Sequence, residues 1–378
     1  MRAELIDDPA RAEALRPAWD ELAVAAGAPF AAPAWCLAWW HHAAPPDAEL
    51  AVVAVHDGDS LVAVAPTWAR RGRSGTTTYR FLGTGASLRG TPVAVPGAAP
   101  AAAGAIASAL AHRAHPPDVL AFDGVPTTDP WPALLREGWP GRRRPWTHRV
   151  RSMPAPTLSL EGRTYEAWLG SRSRNFRSQV GRRRRQLEKA GASLRLAEGP
   201  EDVEASLRAF ADLHHARWAD RGGSGVLDAR LERMLRDAAT ELAPVGRFRV
   251  WVLEVDGAAV SCQVLVGAGG ELAYWLGGFD EDWAARQPAL QTLVAAAEHA
   301  WAVGDRRLDL GAGGQSYKYR LADGEDVLEW RVLVPSGRRQ PVALATLAPR
   351  HGTRAVVERV PQDLKDRVKR SLGRPVSG

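Results

Sequence analysis

Residues 271–320 read ELAYWLGGFDEDWAARQPALQTLVAAAEHAWAVGDRRLDLGAGGQSYKYR. An apolar run over 272–276 predicts a strand, and a polar turn follows it. Leu290, Leu293, Val294, Ala297 and Trp301 then share one face at helical spacing. Pro288 suits the first helical turn and Gly304 the stop. Leu308 and Leu310 face one way on a short second strand, and Asp309 faces the other. A helix entered from a strand end presents free N–H groups and the positive end of its dipole, which suits a phosphate. The second strand brings a polar, glycine-rich loop close to that point. The layout suits group transfer from a phosphate-bearing donor.

The chain has 378 residues, long enough to predict two domains. Its apolar and charged fractions are those of a soluble globular protein. Fifteen Trp are expected mostly in core or pocket walls. Cys36 and Cys262 stand far apart without a CxxC. That argues against a disulfide framework or a structural zinc, and no metal site is expected. No apolar leader precedes the acidic positions Glu4, Asp7, Asp8 and Glu13, and no uncharged run approaches a membrane span. A cytoplasmic protein without an integral membrane segment is therefore expected. The net charge is +6, yet residues 171–189 hold seven Arg and one Lys against one Glu. That one segment carries the basic excess, so the high charge says little about the remaining surface.

Along the chain, residues 9–25 predict a helix with Leu15, Trp19 and Leu22 inward, followed by a short helix with Trp35, Trp39 and Trp40. Asp57-Gly58-Asp59 predicts a hairpin, and Asp256-Gly257 predicts another. A strand at 79–82, an Ala-rich helix at 99–112 and a strand at 119–122 follow the first hairpin. Residues 126–156, rich in Pro, Arg and Trp and without a period, read as a connection. Helices are expected at 172–189, 201–218 and 227–242, and a last strand at 328–334. The order helix, strands, helix, strand occurs twice, which predicts an α+β repeat. The expected domains are 1–150, 151–340 and a basic, partly helical tail at 341–378.

No GxGxxG, P-loop, GxSxG or HExxH occurs, so dinucleotide binding, NTP hydrolysis and zinc hydrolysis lack support. Four groups of candidate residues remain. The arginines of 172–185 would either clamp phosphates or form a solvated face behind Phe176, Val180 and Leu187. His214 lies on the apolar face of its helix, where a satisfied core histidine is expected before a base; Arg217 and Trp218 follow it and would line a substrate cleft or close the helix end. Arg286, Gln287, Pro288 and Ala289 open the central helix and would hold a pyrophosphate, or Pro288 is only a helix starter. Asp309, Tyr317 and Lys318 sit at the strand end and in the loop, where they would carry chemistry, or Tyr317 and Tyr319 pack and Lys318 is solvated. Acyl transfer needs a base for the nucleophile and an acid for the leaving thiolate. A Tyr can protonate a thiolate, and a Lys can stabilise an oxyanion.

These residues resemble a known family. Ser173-Arg174-Asn175-Phe176-Arg177 with the Arg run, Arg217-Trp218 with Arg221-Gly222, Gly278-Phe279-Asp280, Pro288 with Leu290, and Asp309-Leu310-Gly311 with Tyr317-Lys318 look like the CelD/BcsL-like acetyltransferases associated with cellulose biosynthesis. That group is a branch of the GNAT superfamily related to the FemAB aminoacyl transferases. Leu15, Trp19, Leu22, Pro29-Phe30, Trp35 and Arg80-Phe81-Leu82-Gly83 extend the resemblance into the first half. It implies two GNAT-like α+β halves, each a mixed, mostly antiparallel sheet flanked by helices. It implies acetyl-CoA or another acyl-CoA between the 272–276 and 308–310 strands, against Leu276, with the pyrophosphate at residues 286–289. Tyr317 becomes the acid, Lys318 the oxyanion partner, and Asp309 or Glu254 the base. A small-molecule or saccharide acceptor would lie near Trp275, Asp280, Arg217, Trp218 and His214. Two departures stand out: Pro288-Ala289 where the family usually has Pro-Gly, and Ser87-Leu88-Arg89 where related proteins often carry an acidic residue. The alternatives are a FemAB-like transferase using aminoacyl-tRNA, or a non-catalytic scaffold in polysaccharide or envelope assembly.

Overall fold

The computed structural model describes residues 1–219 and 222–347. Arg221 and the basic tail beyond 347 lie outside the described residues. An eleven-stranded sheet runs, in spatial order, Ala192–Leu196, Phe248–Val255, Ala258–Ala268, Glu271–Phe279, Arg307–Asp309, Trp146–Ser159, Gly324–Val334, Val119–Pro126, Thr77–Phe81, Thr67–Arg71 and Ala48–Leu50. A four-stranded sheet joins Arg2–Ile6, Val52–Asp57, Ser60–Ala65 and Val93–Ala94.

Most pairs are antiparallel. Two parallel pairs stand out: residues 78–79 with 119–120, and residues 271–273 with 307–309. Parallel neighbours need a crossover. Here the crossovers contain the helices Ala99–Ala111 and Pro288–Ala302. Each half therefore carries the same strand–helix–strand unit, which is the twofold α+β order expected from the sequence.

The halves are laced together. Gly324–Val334 pairs with Val119–Pro126 of the first half on one side and with Trp146–Ser159 on the other. Trp146–Ser159 goes on to pair with Arg307–Asp309 of the second half. A boundary at 150 thus falls inside a strand. The expected connection over 126–156 instead contains the helix Trp131–Glu137 and this strand. Pro154 and Pro156 disguise it. Each lacks an N–H, but their carbonyls accept from Gly313 and Leu310 at 2.8 and 3.0 Å, so the strand still has partners.

One hydrophobic cluster spans both halves, joining Trp19, Trp35 and Trp39 to Phe210, Leu235 and Val264. Trp35 meets Trp275 edge-on with ring centres 6.0 Å apart. The Gly269-Gly270 turn of the second half presses on the end of the helix Arg16–Ala25. A Cβ on Gly269 would stand 1.9 Å from Val24 O, and its φ is +55°. Gly269→Ala is expected to cost about 2 kcal/mol or more through overpacking and left-handed strain. A urea midpoint equal to wild type would overturn that expectation.

The basic helix Arg174–Lys189 buries only Phe176, Val180 and Leu187, and Ser173 caps it by accepting from Phe176 N at 3.2 Å. Most of its arginines face outward, as a solvated face requires.

Candidate active site

The site grows from an irregularity in the Glu271–Phe279 strand. One side pairs with Ala258–Ala268, but the register slips between Val264↔Leu276 and Leu265↔Tyr274, leaving Trp275 as the extra residue of a bulge. The other side pairs with Arg307–Asp309 only as far as Ala273. From Tyr274 onward that edge has no ladder partner among the described residues. The bulge turns Trp275 and Leu276 into the shared core, while Tyr274 and Gly277 face the opposite side.

On that opposite side lies a cavity of about 280 Å³. Tyr274, Gly277 and Phe279 line it from the strand, with Gln263 beside them on the neighbouring strand. Gln287, Pro288, Ala289, Leu290 and Leu293 form the wall at the start of the Pro288–Ala302 helix. Tyr317 and Arg320 come from the short helix Ser316–Leu321, and Arg217 from Pro200–Ala219. A larger cleft of about 940 Å³, between the Ala229–Leu242 helix and the Phe248 end of the sheet, is lined by none of the candidate residues.

Gln287 adopts φ +55°, φ in the left-handed region, and starts the helix. Its first i→i−4 bond is Gln291 N to Gln287 O at 3.1 Å. The N–H groups of Ala289 and Leu290 precede that bond, so the helix offers them, with its positive dipole end, at the cavity wall. Gln287 Oε1 accepts from Gln179 Nε2 at 2.9 Å, and Gln179 Oε1 accepts from Arg320. This chain ties the helix start to the basic helix.

Tyr274 and Tyr317, both half-buried, share a hydrogen bond. Burial pushes both phenols above their usual pKa; for Tyr317 the Tyr274 bond and Arg217 pull the other way without reversing it. Tyr317 is therefore protonated at neutral pH, the state an acid needs. Arg217 lies over the Phe279 ring at 4.3 Å and reaches Glu281 at 3.2 Å.

Of the residues singled out in the sequence, the cavity gathers Tyr317, Gln287, Pro288, Ala289 and Arg217. Others stand elsewhere. Lys318 is 4% exposed, and its Nζ donates to Gly311 O at 3.0 Å and Ala312 O at 2.8 Å. Burial lowers its pKa to about 8, with Asp309 opposing. It pins the glycine loop instead of facing an oxyanion. Asp309 accepts from Arg89 Nε at 2.7 Å and from Gly311 N at 2.9 Å, so an arginine occupies the expected base. Glu254 is held in the same way by Arg195 at 2.6 Å. Arg286 stacks over Trp283 at 4.6 Å, outside the cavity. Leu276 packs against the core, and so does Trp275, whose Nε1 donates to Ala86 O at 2.6 Å. Asp280 caps the turn Glu281–Arg286 by accepting from Asp282 N at 3.0 Å. His214 is a buried core histidine bonded to Ser224 Oγ at 2.8 Å, and burial lowers its pKa. Trp218 is exposed beside it.

Sequence reasoning missed Tyr274 and Gln263. Gln263 had a visible signal: it is polar in the middle of the apolar strand Ala258–Ala268. Tyr274 had none, because the bulge that aims it arises only from pairing.

Beneath the site, Arg89 pairs with Asp309 and with Asp326 at 2.9 Å, while Arg307 pairs with Asp326 and with Glu271 at 3.2 Å. Burial pushes Glu271 up to about 7, with Arg307 and Arg89 opposing and Asp309 and Asp326 assisting. The folded protein thus holds this proton more tightly than the unfolded chain, whose Glu titrates near 4.5. The resulting stability is fully present below about pH 4.5 and is lost as pH rises through about 7. The loss is on the order of 3 kcal/mol. Glu271→Gln is expected to remove it, so urea titrations at pH 5 and pH 8 should differ less than in wild type. An unchanged difference would rule Glu271 out as its source.

Residues 174–319 match the family model of the acetyltransferase (GNAT) domain. The match covers part of the second half, and it supports reading the chain as an acyltransferase enzyme. No curated protein matches the sequence. Among solved structures, FemX is 12% identical with a TM-score of 0.64, covering 91% of this chain and 99% of its own. The C-terminal domain (DUF2156) of a putative lysylphosphatidylglycerol synthetase from Agrobacterium fabrum is 11% identical, with a TM-score of 0.56 and coverage of 90% and 95%. L-PGS from Bacillus licheniformis is 13% identical, with a TM-score of 0.54 and coverage of 92% and 98%. At these identities the likeness is one of fold, and it extends over both halves. Among the described residues no helix is long and apolar enough to cross a membrane, and no three His, Cys, Asp or Glu cluster as a metal site would need.

Proposed function

We propose that the chain transfers an acyl group from an acyl-CoA, acetyl-CoA first among them, to an amine or hydroxyl of a small-molecule or saccharide acceptor. One observation carries this reading: a single cavity beside an unpaired strand edge has a helix start on one wall and a protonated tyrosine on another. The Ala289 and Leu290 N–H groups suit a pyrophosphate, with Arg320 nearby as a cation. The cavity volume suits a slender acyl-bearing arm, not a whole nucleotide. The acceptor nitrogen or oxygen attacks the thioester carbonyl carbon. The C–N or C–O bond forms, the C–S bond breaks, and Tyr317 passes its proton to the departing sulfur. Asp309 and Glu254 are bound to arginines, so the acceptor's proton leaves to solvent. Lys318 serves the reaction by holding the glycine loop. The CelD/BcsL-like motifs support the saccharide acceptor and nothing finer.

A second reading has its own support. The cleft lined by Arg172, Ser173, Asn175, Gln179 and Arg320 adjoins the cavity, and its arginines suit a polyanion such as aminoacyl-tRNA. The full-length likeness to FemX favours the same direction.

Calorimetry with acetyl-CoA, run to millimolar concentration, tests the first reading; an absence of binding would sink it. Filter retention of charged tRNA that weakens steeply with salt would move the assignment to the second.

A further inference from the structure

Gln263 is 2% exposed, and its Oε1 has no hydrogen-bond partner among the described residues. Its Nε2 makes only a long contact, 3.4 Å, to Ser261 Oγ. Whichever way round the carboxamide stands, Ser261 satisfies one end and leaves the other bare. A bare buried amide atom is costly, and a folded protein normally pairs it. Gln263 stands directly opposite Gly277 in the sheet. A Cβ on Gly277 would lie 2.1 Å from Gln263 Oε1 and 2.8 Å from Nε2. The missing side chain is what lets the carboxamide lie across the neighbouring strand, and both residues line the 280 Å³ cavity.

We infer that Gln263 is a specificity-determining binding residue: through the space left by Gly277, its carboxamide hydrogen-bonds an amide or amine group in the part of the donor that lies inside the cavity. The inference rests on the acyl-transfer reading of this site. Leu290, Leu293 and Pro288 suit the apolar stem of such a donor, and Gln263 supplies a polar partner deep among them. Two donors carry this chemistry: the amide-bearing arm of an acyl-CoA, and the amine of an aminoacyl group on tRNA.

The test compares wild type with Gln263→Met, which keeps the length and removes the amide, and with Gly277→Ala, whose methyl displaces the carboxamide without touching its chemistry. Calorimetry uses acetyl-CoA and, as a probe lacking the arm, adenosine 3′,5′-bisphosphate. Filter binding uses charged and uncharged tRNA. Loss of one hydrogen bond is expected to weaken the full donor about five- to tenfold. Selective loss for acetyl-CoA over the bisphosphate assigns the amide to the CoA arm. Selective loss for charged over uncharged tRNA assigns the amine to the aminoacyl group. If wild type binds a full donor and both variants bind it equally well, the inference fails and the reading of the site stands. Binding of none of these ligands by wild type overturns both. Melting curves of the variants identify a folding defect, and the bisphosphate and uncharged tRNA show whether the rest of the site survives it.

Discussion

Arg89→Met should destabilise the protein by about 3–5 kcal/mol, the effect of removing one partner from a buried ion pair. Arg89 Nε binds Asp309, and its other arm reaches Asp326. Burial works against its charge, but the two carboxylates more than offset this and hold its pKa above the usual guanidinium value. Without it, Asp309 is left buried with only the Gly311 N–H, and Asp326 keeps Arg307 alone. Against a typical total of about 5–15 kcal/mol, such a loss is large. Urea denaturation measures it. Arg89→Met combined with Asp309→Asn should recover part of the loss, because the orphaned charge is gone. A single variant within about 1 kcal/mol of wild type would show the network to be energetically idle.

Tyr317→Phe should lower kcat about 10²- to 10⁴-fold, the usual range for a positioned acid, while KM changes little. The ring continues to fill its wall of the cavity, so the fold and the donor's seat are retained. Burial holds the hydroxyl protonated across neutral pH, which is the form that donates to a leaving thiolate. Tyr274→Phe removes the bond between the two phenols and should act more weakly, through the orientation of Tyr317. An unchanged kcat in Tyr317→Phe would remove this residue from the mechanism. A raised KM with unchanged kcat would make it a binding group only.

Arg89 and Tyr317 show two different limits of what a sequence displays. The place of Tyr317 on the cavity wall could be read because it lies in the same short stretch as the helix start and strand that frame the cavity. Local pattern sufficed: Pro288 at a helix start, Leu308 and Leu310 alternating, glycines after them. Arg89 was visible only as a departure from a family's usual acidic residue. Its partners Asp309 and Asp326 lie more than two hundred residues away, and nothing local announces a pairing of that kind. The same distance hid the partner of Asp309, whereas Lys318 turns back on a loop only six and seven residues away, a fold-back that depends on loop conformation and not on residue type. Their positions in the loop were right, but their polar atoms were already satisfied by Gly311, Ala312 and Arg89.

Periodicity and turn chemistry by themselves determined the α+β class, the twofold order, the Asp256-Gly257 hairpin and most of the helices, though not the Trp131–Glu137 helix or the Trp146–Ser159 strand, because helix and hairpin formation depend on residues a few positions apart. Tertiary structure alone decided that the two halves share a sheet through Trp146–Ser159 and Gly324–Val334. It also decided that a bulge at Trp275 sends this ring to the core and Tyr274 to the cavity. Those outcomes depend on which strand finds which partner and in what register. Register is set by side chains far apart in the chain, and a slip of one residue sends every later side chain of a strand to the other face.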